Sequence, residues 1–155
     1  MRELIISLVQ AFQTEYNGKT VGAGGDFGAT LTNGPFTITT YFHQWQQIDN
    51  PSMHIQIVQE DAEGGNFECC GGITTLKVNV RISVDQKLQG WSIASILYEE
   101  FRKWLCAKNY SLAPAGEDYL VVVDASRITA NHIYEGDVFS IHTMIYLTYL
   151  RGYIA

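Results

Sequence analysis

Apolar and polar residues alternate strictly between positions 75 and 84. Because successive side chains of a strand point to opposite faces, this alternation predicts a strand with one buried and one solvated side. At about 3.3 Å per residue, the strand would be longer than most. The apolar positions are Leu76, Val78, Val80, Ile82 and Val84, and the polar ones are Thr75, Lys77, Asn79, Arg81 and Ser83.

Two segments repeat apolar residues at helical spacing instead, residues 3–16 and residues 91–108. Each predicts an amphipathic helix with one apolar stripe. Asn17-Gly18 is a typical helix end signal. The stripes are Leu4, Ile5, Leu8, Val9 and Phe12 in the first helix, and Ile93, Ala94, Leu97, Phe101, Trp104 and Leu105 in the second.

The remaining β-rich segments complete the order α-β-β-β-α-β-β over a single predicted domain, residues 1–155. This order predicts an α+β fold: an antiparallel or mixed sheet of about five strands with both helices packed on one face. The opposite face then has no element left to cover it, and such a face usually contacts a partner. The further strands are predicted at 36–42, 53–59, 119–132 (with 119–123 central and buried on both faces) and 138–150.

Residues 17–34 contain six glycines and few bulky side chains. We expect a flexible loop that a neighbouring subunit could order, since long loops without regular structure usually serve a function or a partner. A phosphate-binding loop is disfavoured, because Gln13 stands where its first glycine is required and Phe27 interrupts the other glycine pattern.

The segment between the second and third strands is acidic and rich in turn-forming residues. Residues 53–84 therefore predict a long hairpin with a projecting, negatively charged tip at 60–72. Its acidic residues are candidate assembly contacts, together with the polar side of the third strand. The candidates are Glu60, Asp61, Glu63 and Glu68 in the tip, and Lys77, Asn79 and Arg81 on the strand.

The chain has 155 residues, a formal net charge of -6 and a pI near 5.1. This balance argues against electrostatic binding of nucleic acid, which needs clustered Lys and Arg. An acidic surface could still let DNA pass without sticking. No apolar run approaches the roughly 20 residues that span a bilayer, and no signal peptide pattern is present. We therefore expect a protein made in a reducing cytoplasm, with no membrane partner.

No catalytic, cofactor or metal motif stands out. The four histidines lack ligand spacing, and the three cysteines, Cys69, Cys70 and Cys106, support neither a disulfide framework nor a zinc site. Cys106 is predicted to lie in the core. We expect a protein that is not an enzyme. The alternative is a small cytoplasmic ferredoxin-like enzyme or ligand-binding domain that uses the 17–34 loop and Cys69-Cys70 as its site.

The layout resembles the tail terminator (tail completion) proteins of long-tailed bacteriophages and their relatives among neck and minor tail proteins. The resemblance rests on the N-terminal helix, Pro51 before a short strand, the strand Leu76–Val84, the helix Trp91–Lys108 and the closing strand with Ile141–Leu147. It implies a virion protein that forms a ring, a homo-hexamer, capping the tail tube, with DNA passing through the lumen. The implied partners are other copies, the tail-tube protein and the head–tail connector. Another neck or minor tail protein is the alternative within this family.

Overall fold

The computed structural model describes residues 2–43, 51–63, 72–88, 90–107, 119–123 and 129–151. It has two α-helices and eight β-strands in these ranges, and a 3-10 turn at Gln86–Leu88 before the second helix. The elements are α1 (Arg2–Tyr16), β1 (Thr20–Val21), β2 (Phe36–Thr37), β3 (Thr39–Phe42), β4 (Ser52–Glu63), β5 (Gly72–Asp85), α2 (Gly90–Ala107), β6 (Tyr119–Val123), β7 (Thr129–Glu135) and β8 (Val138–Arg151).

The main sheet has the order β3-β4-β5-β8, and both β6 and β7 pair with the outer edge of β8. Strands β3 and β4 run parallel, and every other described pair in this sheet is antiparallel. The predicted α+β class with a mixed sheet is thus confirmed. Strands β1 and β2 form a separate two-stranded sheet.

Strand β5 is the centre of the sheet, and its predicted alternation is confirmed. It pairs with β4 on one side and with β8 along all 14 residues on the other. Its five even-numbered apolar side chains, from Leu76 to Val84, are fully buried. They share a face with Met53 and Ile55 of β4, and this face carries the core.

Both helices cover that core face. Helix α2 packs against β5 and β8, and α1 packs against β3 and β4. All six residues of the predicted α2 stripe are buried. The two helices meet through aromatic rings: Phe12 lies 6.2 Å from Phe101 and 6.4 Å from Trp104 between ring centroids. Tyr16 joins this cluster, and its burial raises the pKa of its hydroxyl above the usual value.

The segment 36–42, predicted as one strand, is two strands in two sheets. β2 pairs with β1, whereas β3 pairs with β4. The change occurs at the buried Ile38, whose N–H donates to the carbonyl oxygen of Lys19 and whose carbonyl accepts from Gly18. The end of α1 therefore occupies the backbone groups of Ile38 that a continuous strand would offer to a neighbour.

Residues 17–34 are not the long loop without structure that their glycines predict. The segment folds back on itself through backbone hydrogen bonds, including those from Gly22 to Phe27 and from Ala23 to Asn33. The carboxylate of Asp26 accepts hydrogen bonds from the N–H and hydroxyl of Thr20. Val21 is fully buried, so the segment is anchored in the core. Its expected mobility stays a prediction.

The hairpin of β4 and β5 is confirmed, but its ladder extends further than predicted. Pairing continues past a register shift between Ile57 and Gln59 to the pair Glu63–Ile73. Glu60, Asp61 and Glu63 therefore belong to β4 and not to a tip, because a shift of one residue does not end the ladder. Glu68, and most of the predicted tip, lie outside the described residues.

Two further predictions are wrong. β6, expected to be central, pairs with β8 alone and lies at the edge of the sheet that the described strands form. Cys106, expected in the core, is exposed. It follows the buried Trp104 and Leu105 by one position, which carries its side chain off the apolar stripe.

Candidate functional site

The face of the sheet opposite the helices is the candidate functional site, and no described helix packs on it. We call it the strand face. Because side chains alternate along a pleated strand, the residues between the core positions of each strand point to this face. It consists of Tyr41 of β3; Ser52, His54 and Gln56 of β4; Lys77, Asn79, Arg81 and Ser83 of β5; Ser140, His142, Met144 and Tyr146 of β8.

Arg81 lies at the centre of the strand face, between two histidines. The register places His54 of β4 opposite Arg81 on one side and His142 of β8 opposite it on the other. The ring of Tyr41 stacks on His54, with centroids 4.7 Å apart and an interplanar angle of 15°. Four strands thus contribute one row of polar rings and a guanidinium.

The guanidinium of Arg81 is held by side chains of its own chain. Nη2 lies 3.1 Å from Oε2 of Glu135, and Nε donates to Oγ of Ser83 at 3.2 Å. Ser140 is 3.5 Å from Nη2 and 3.0 Å from the Ser83 hydroxyl. The Arg81 side chain is only 17% exposed, whereas that of Glu135 is 56% exposed. The positive charge predicted on this strand is therefore already paired with a carboxylate.

The surroundings of both flanking histidines disfavour the charged imidazolium. Burial lowers the pKa of His54 to about 4, and the positive charge of Arg81 acts in the same direction. Burial and then Arg81 also lower the pKa of His142, although the carboxylate of Glu135 opposes this. The physical cause is shared, since a buried imidazole beside a guanidinium resists a second positive charge.

A depression with a volume of about 270 Å³ opens beside Arg81. Six of its described lining residues have polar side chains: His43, His54, Gln56, Asn79, Arg81 and His142. None of its described lining residues is Asp or Glu. His43 adopts a left-handed backbone (φ 54°), and its Nε2 accepts a hydrogen bond from the N–H of Ile57 at 3.4 Å. Nε2 of His142 is buried and has no hydrogen-bond partner among the described residues.

The structure separates the predicted assembly contacts into two groups. Asn79 and Arg81 line the depression. Lys77 is further along β5, half-buried, with its ammonium 6.0 Å from the centroid of the Tyr146 ring. The acidic β4 residues lie beyond it, since Asp61 pairs with Thr75. Thr75 is six positions from Arg81, roughly 20 Å along the strand.

Sequence reasoning missed the grouping of His54 and His142 around Arg81. His54, Arg81 and His142 are far apart in the sequence, and only the register of three strands brings them together. The same alternation that predicts the core positions of β5 could have placed Arg81 on the opposite face. The partners on β4 and β8 could not have been chosen without the pairing.

Other chemistry finds no support in the described part of the chain. No group of three or more His, Cys, Asp or Glu residues there could hold a metal ion. Cys69 and Cys70 lie outside the described residues. None of the described helices is long and apolar enough to cross a membrane.

The chain matches no protein-family model and no curated protein.

Proposed function

We propose that this chain is a structural protein of a long-tailed phage virion, a tail terminator. Copies of the chain form a ring, a hexamer, that caps the tail tube and joins it to the head connector. The observation that carries the proposal is the strand face, a broad sheet surface on which no described helix packs. Another neck or minor tail protein with the same layout would use the face in the same way.

The strand face has the size and the residue types of a protein contact surface. Strands β5 and β8 each have 14 residues, so they run for roughly 45 Å. Tyr41, Met144, Tyr146 and Arg81 are of the types enriched at the centres of protein interfaces. Polar groups such as Asn79 lie between them, as expected where subunits must also remain soluble before assembly.

The charge of the chain supports passage of DNA through the ring. With a net charge of -6, the chain would repel the phosphate backbone more than it attracts it. Arg81 of the strand face forms an ion pair with Glu135 within the chain. A lumen lined by an acidic surface would let DNA slide without specific binding.

Electron microscopy of tube assembly tests this proposal. The purified chain is added to a polymerising tail-tube protein, and tube ends are inspected by negative stain. We expect ring-shaped particles at one end of each tube and shorter tubes as more chain is added. Monomers alone, with unchanged tube length and bare ends at every ratio, would argue against the proposal.

A charge reversal tests where the subunits meet. We expect Lys77→Glu with Arg81→Glu to weaken assembly, because both side chains lie on the strand face and charged contacts between subunits there would be sensitive to salt. Lys103→Glu is the matched control, since this side chain is 73% exposed on α2. Assembly is followed by sedimentation at two salt concentrations. Equal assembly of the double variant and the control would refute contact through the strand face.

A further inference from the structure

We propose that the depression beside Arg81 is a binding site for a small oxyanion, a phosphate or a carboxylate group. Arg81 supplies the charge, and His54 and His142 flank the bound oxygen atoms. The site is built from residues of one chain, so it can be tested on the unassembled chain independently of ring formation.

The lining of the depression favours a ligand that accepts hydrogen bonds. Arg, Asn and Gln side chains all carry N–H donors, and an imidazole presents an N–H at one nitrogen or both. The chain has 16 Asp and Glu residues against 10 Lys and Arg, yet none of the described lining residues is acidic. The depression is therefore a donor-rich place on an acidic protein, which is what an oxyanion requires.

Arg81 is held in a fixed position for binding. Ser83 and Ser140 contact its Nε and Nη2, so the guanidinium is oriented before a ligand arrives. A guanidinium has five N–H donors in a planar fork that matches the oxygens of carboxylate and phosphate. One carboxylate oxygen of Glu135 already contacts Nη2 at 3.1 Å, and Glu135 is not among the described residues lining the depression.

His142 gives a second and independent reason. His142 lines the depression, and its Nε2 is buried and has no hydrogen-bond partner among the described residues. A buried polar atom left in this way is costly, and a ligand oxygen would satisfy it. The volume of about 270 Å³ accommodates such a group easily, since a water molecule in the liquid occupies only about 30 Å³.

Binding is expected to strengthen as the pH falls. The groups that face the two histidines are Tyr41 from β3, Arg81 from β5 and Glu135 from β7. A bound anion offsets the charge of Arg81, which favours protonation of His54 and His142 beside it. By linkage, protonation of these rings must then favour the anion equally.

Titration with inorganic phosphate tests the site on the full chain. Imidazole resonances are followed by NMR at pH 7.5 and 5.5, with sodium chloride holding the ionic strength constant. We expect saturable shifts of the His54 and His142 resonances. The exposed His132, whose ring lies 5.6 Å from that of Phe139 between centroids and does not line the depression, should show none. For one ionic form of phosphate, after allowing for the protonation of phosphate itself between these pH values, the affinity should be higher at pH 5.5 than at pH 7.5.

Three variants connect the titration to the proposed residues. Arg81→Gln should weaken binding by about tenfold or more, the usual effect of losing a charge-assisted hydrogen bond. Lys77→Gln is the matched control, because it removes a cation from the same strand without touching the depression, and its affinity should stay within about twofold. Glu135→Gln should strengthen binding, since it removes the competing carboxylate. This gain remains informative if Arg81→Gln does not fold.

A parallel titration with acetate distinguishes the two ligand sources. Saturable shifts with phosphate alone assign the site to phosphate, and shifts with acetate alone assign it to carboxylates. Either result supports an oxyanion site. Absence of saturable shifts with both anions would overturn the proposal. So would an equal loss of affinity in Lys77→Gln and Arg81→Gln, or weaker binding in Glu135→Gln.

Discussion

The low pKa of His54 predicts that the chain loses stability in mild acid. His54 is only 7% exposed, and burial together with Arg81 lowers its pKa to about 4. In the unfolded chain the pKa of histidine is about 6.5. The unfolded state therefore binds the extra proton between these two values, so stability is full above pH 6.5 and falls as the pH drops toward 4.

The magnitude follows from the two pKa values. The complete shift corresponds to roughly 3 kcal/mol, of which about 2 kcal/mol is lost between pH 7.5 and pH 5. This loss is a large part of the total free energy of unfolding of a typical domain, which is roughly 5–15 kcal/mol. Urea unfolding at pH 7.5, 6.5, 5.5 and 5 measures it. Replacing the imidazole, in His54→Gln, should reduce the loss over this range by about 2 kcal/mol relative to the parent chain.

The test compares how steeply the free energy of unfolding falls with pH in His54→Gln and in the parent chain, because other groups also titrate in this range. His132→Gln serves as the control, since His132 is exposed near the edge of the sheet. The control should show the same fall in stability as the parent chain. Parallel curves for the parent chain and His54→Gln would refute the coupling of His54 to Arg81 and its burial.

Two further predictions concern the scaffold. Phe12→Ala should lower the free energy of unfolding by about 3–5 kcal/mol, because Phe12 is fully buried among aromatic rings. Ile6 lies on the same helix with a side chain 40% exposed, so Ile6→Ala should lower it by about 1 kcal/mol or less. Gly22→Ala should lower the free energy of unfolding by more than about 3 kcal/mol, since the φ of Gly22 is +108° and a methyl group would overlap the carbonyl oxygen of Asn33. Gly24 has a φ of +70° with open space around it, so Gly24→Ala should lower it by about 1 kcal/mol. Urea unfolding measures all four, and equal costs within either pair would contradict the packing described.

The sequence predicted the elements whose patterns are local. The alternation in β5 and the apolar stripes of the two helices are each visible within one segment. The helix bounds agree with the structure to within one residue, and the apolar residues of the β5 alternation are buried as predicted. Strand β5 itself extends beyond the predicted residues at both ends. Pairing between distant segments was less accessible. The division of 36–42 between two sheets depends on Ile38 bonding to the end of α1, which no pattern within that segment records.

The candidate site lay beyond sequence reasoning for the same reason. Lys77, Asn79 and Arg81 were correctly placed on the face opposite the core, because alternation fixes the side of each residue. His54 and His142 joined them only through the register of β4 and β8. The turn-forming residues that follow Glu60, Asp61 and Glu63 predict a hairpin tip there, whereas the ladder continues past the shift at Ile57 and Gln59 and includes all three.

The mass of the assembled protein tests the central proposal most directly. Native mass spectrometry of the purified chain, alone and with a tail-tube protein, gives the number of copies in each complex. Six copies of a 17.4 kDa chain weigh about 104 kDa, and we expect this species to appear or to increase when the tube protein is present. A single species of 17.4 kDa under both conditions, with no complex containing tube protein, would contradict the proposed ring.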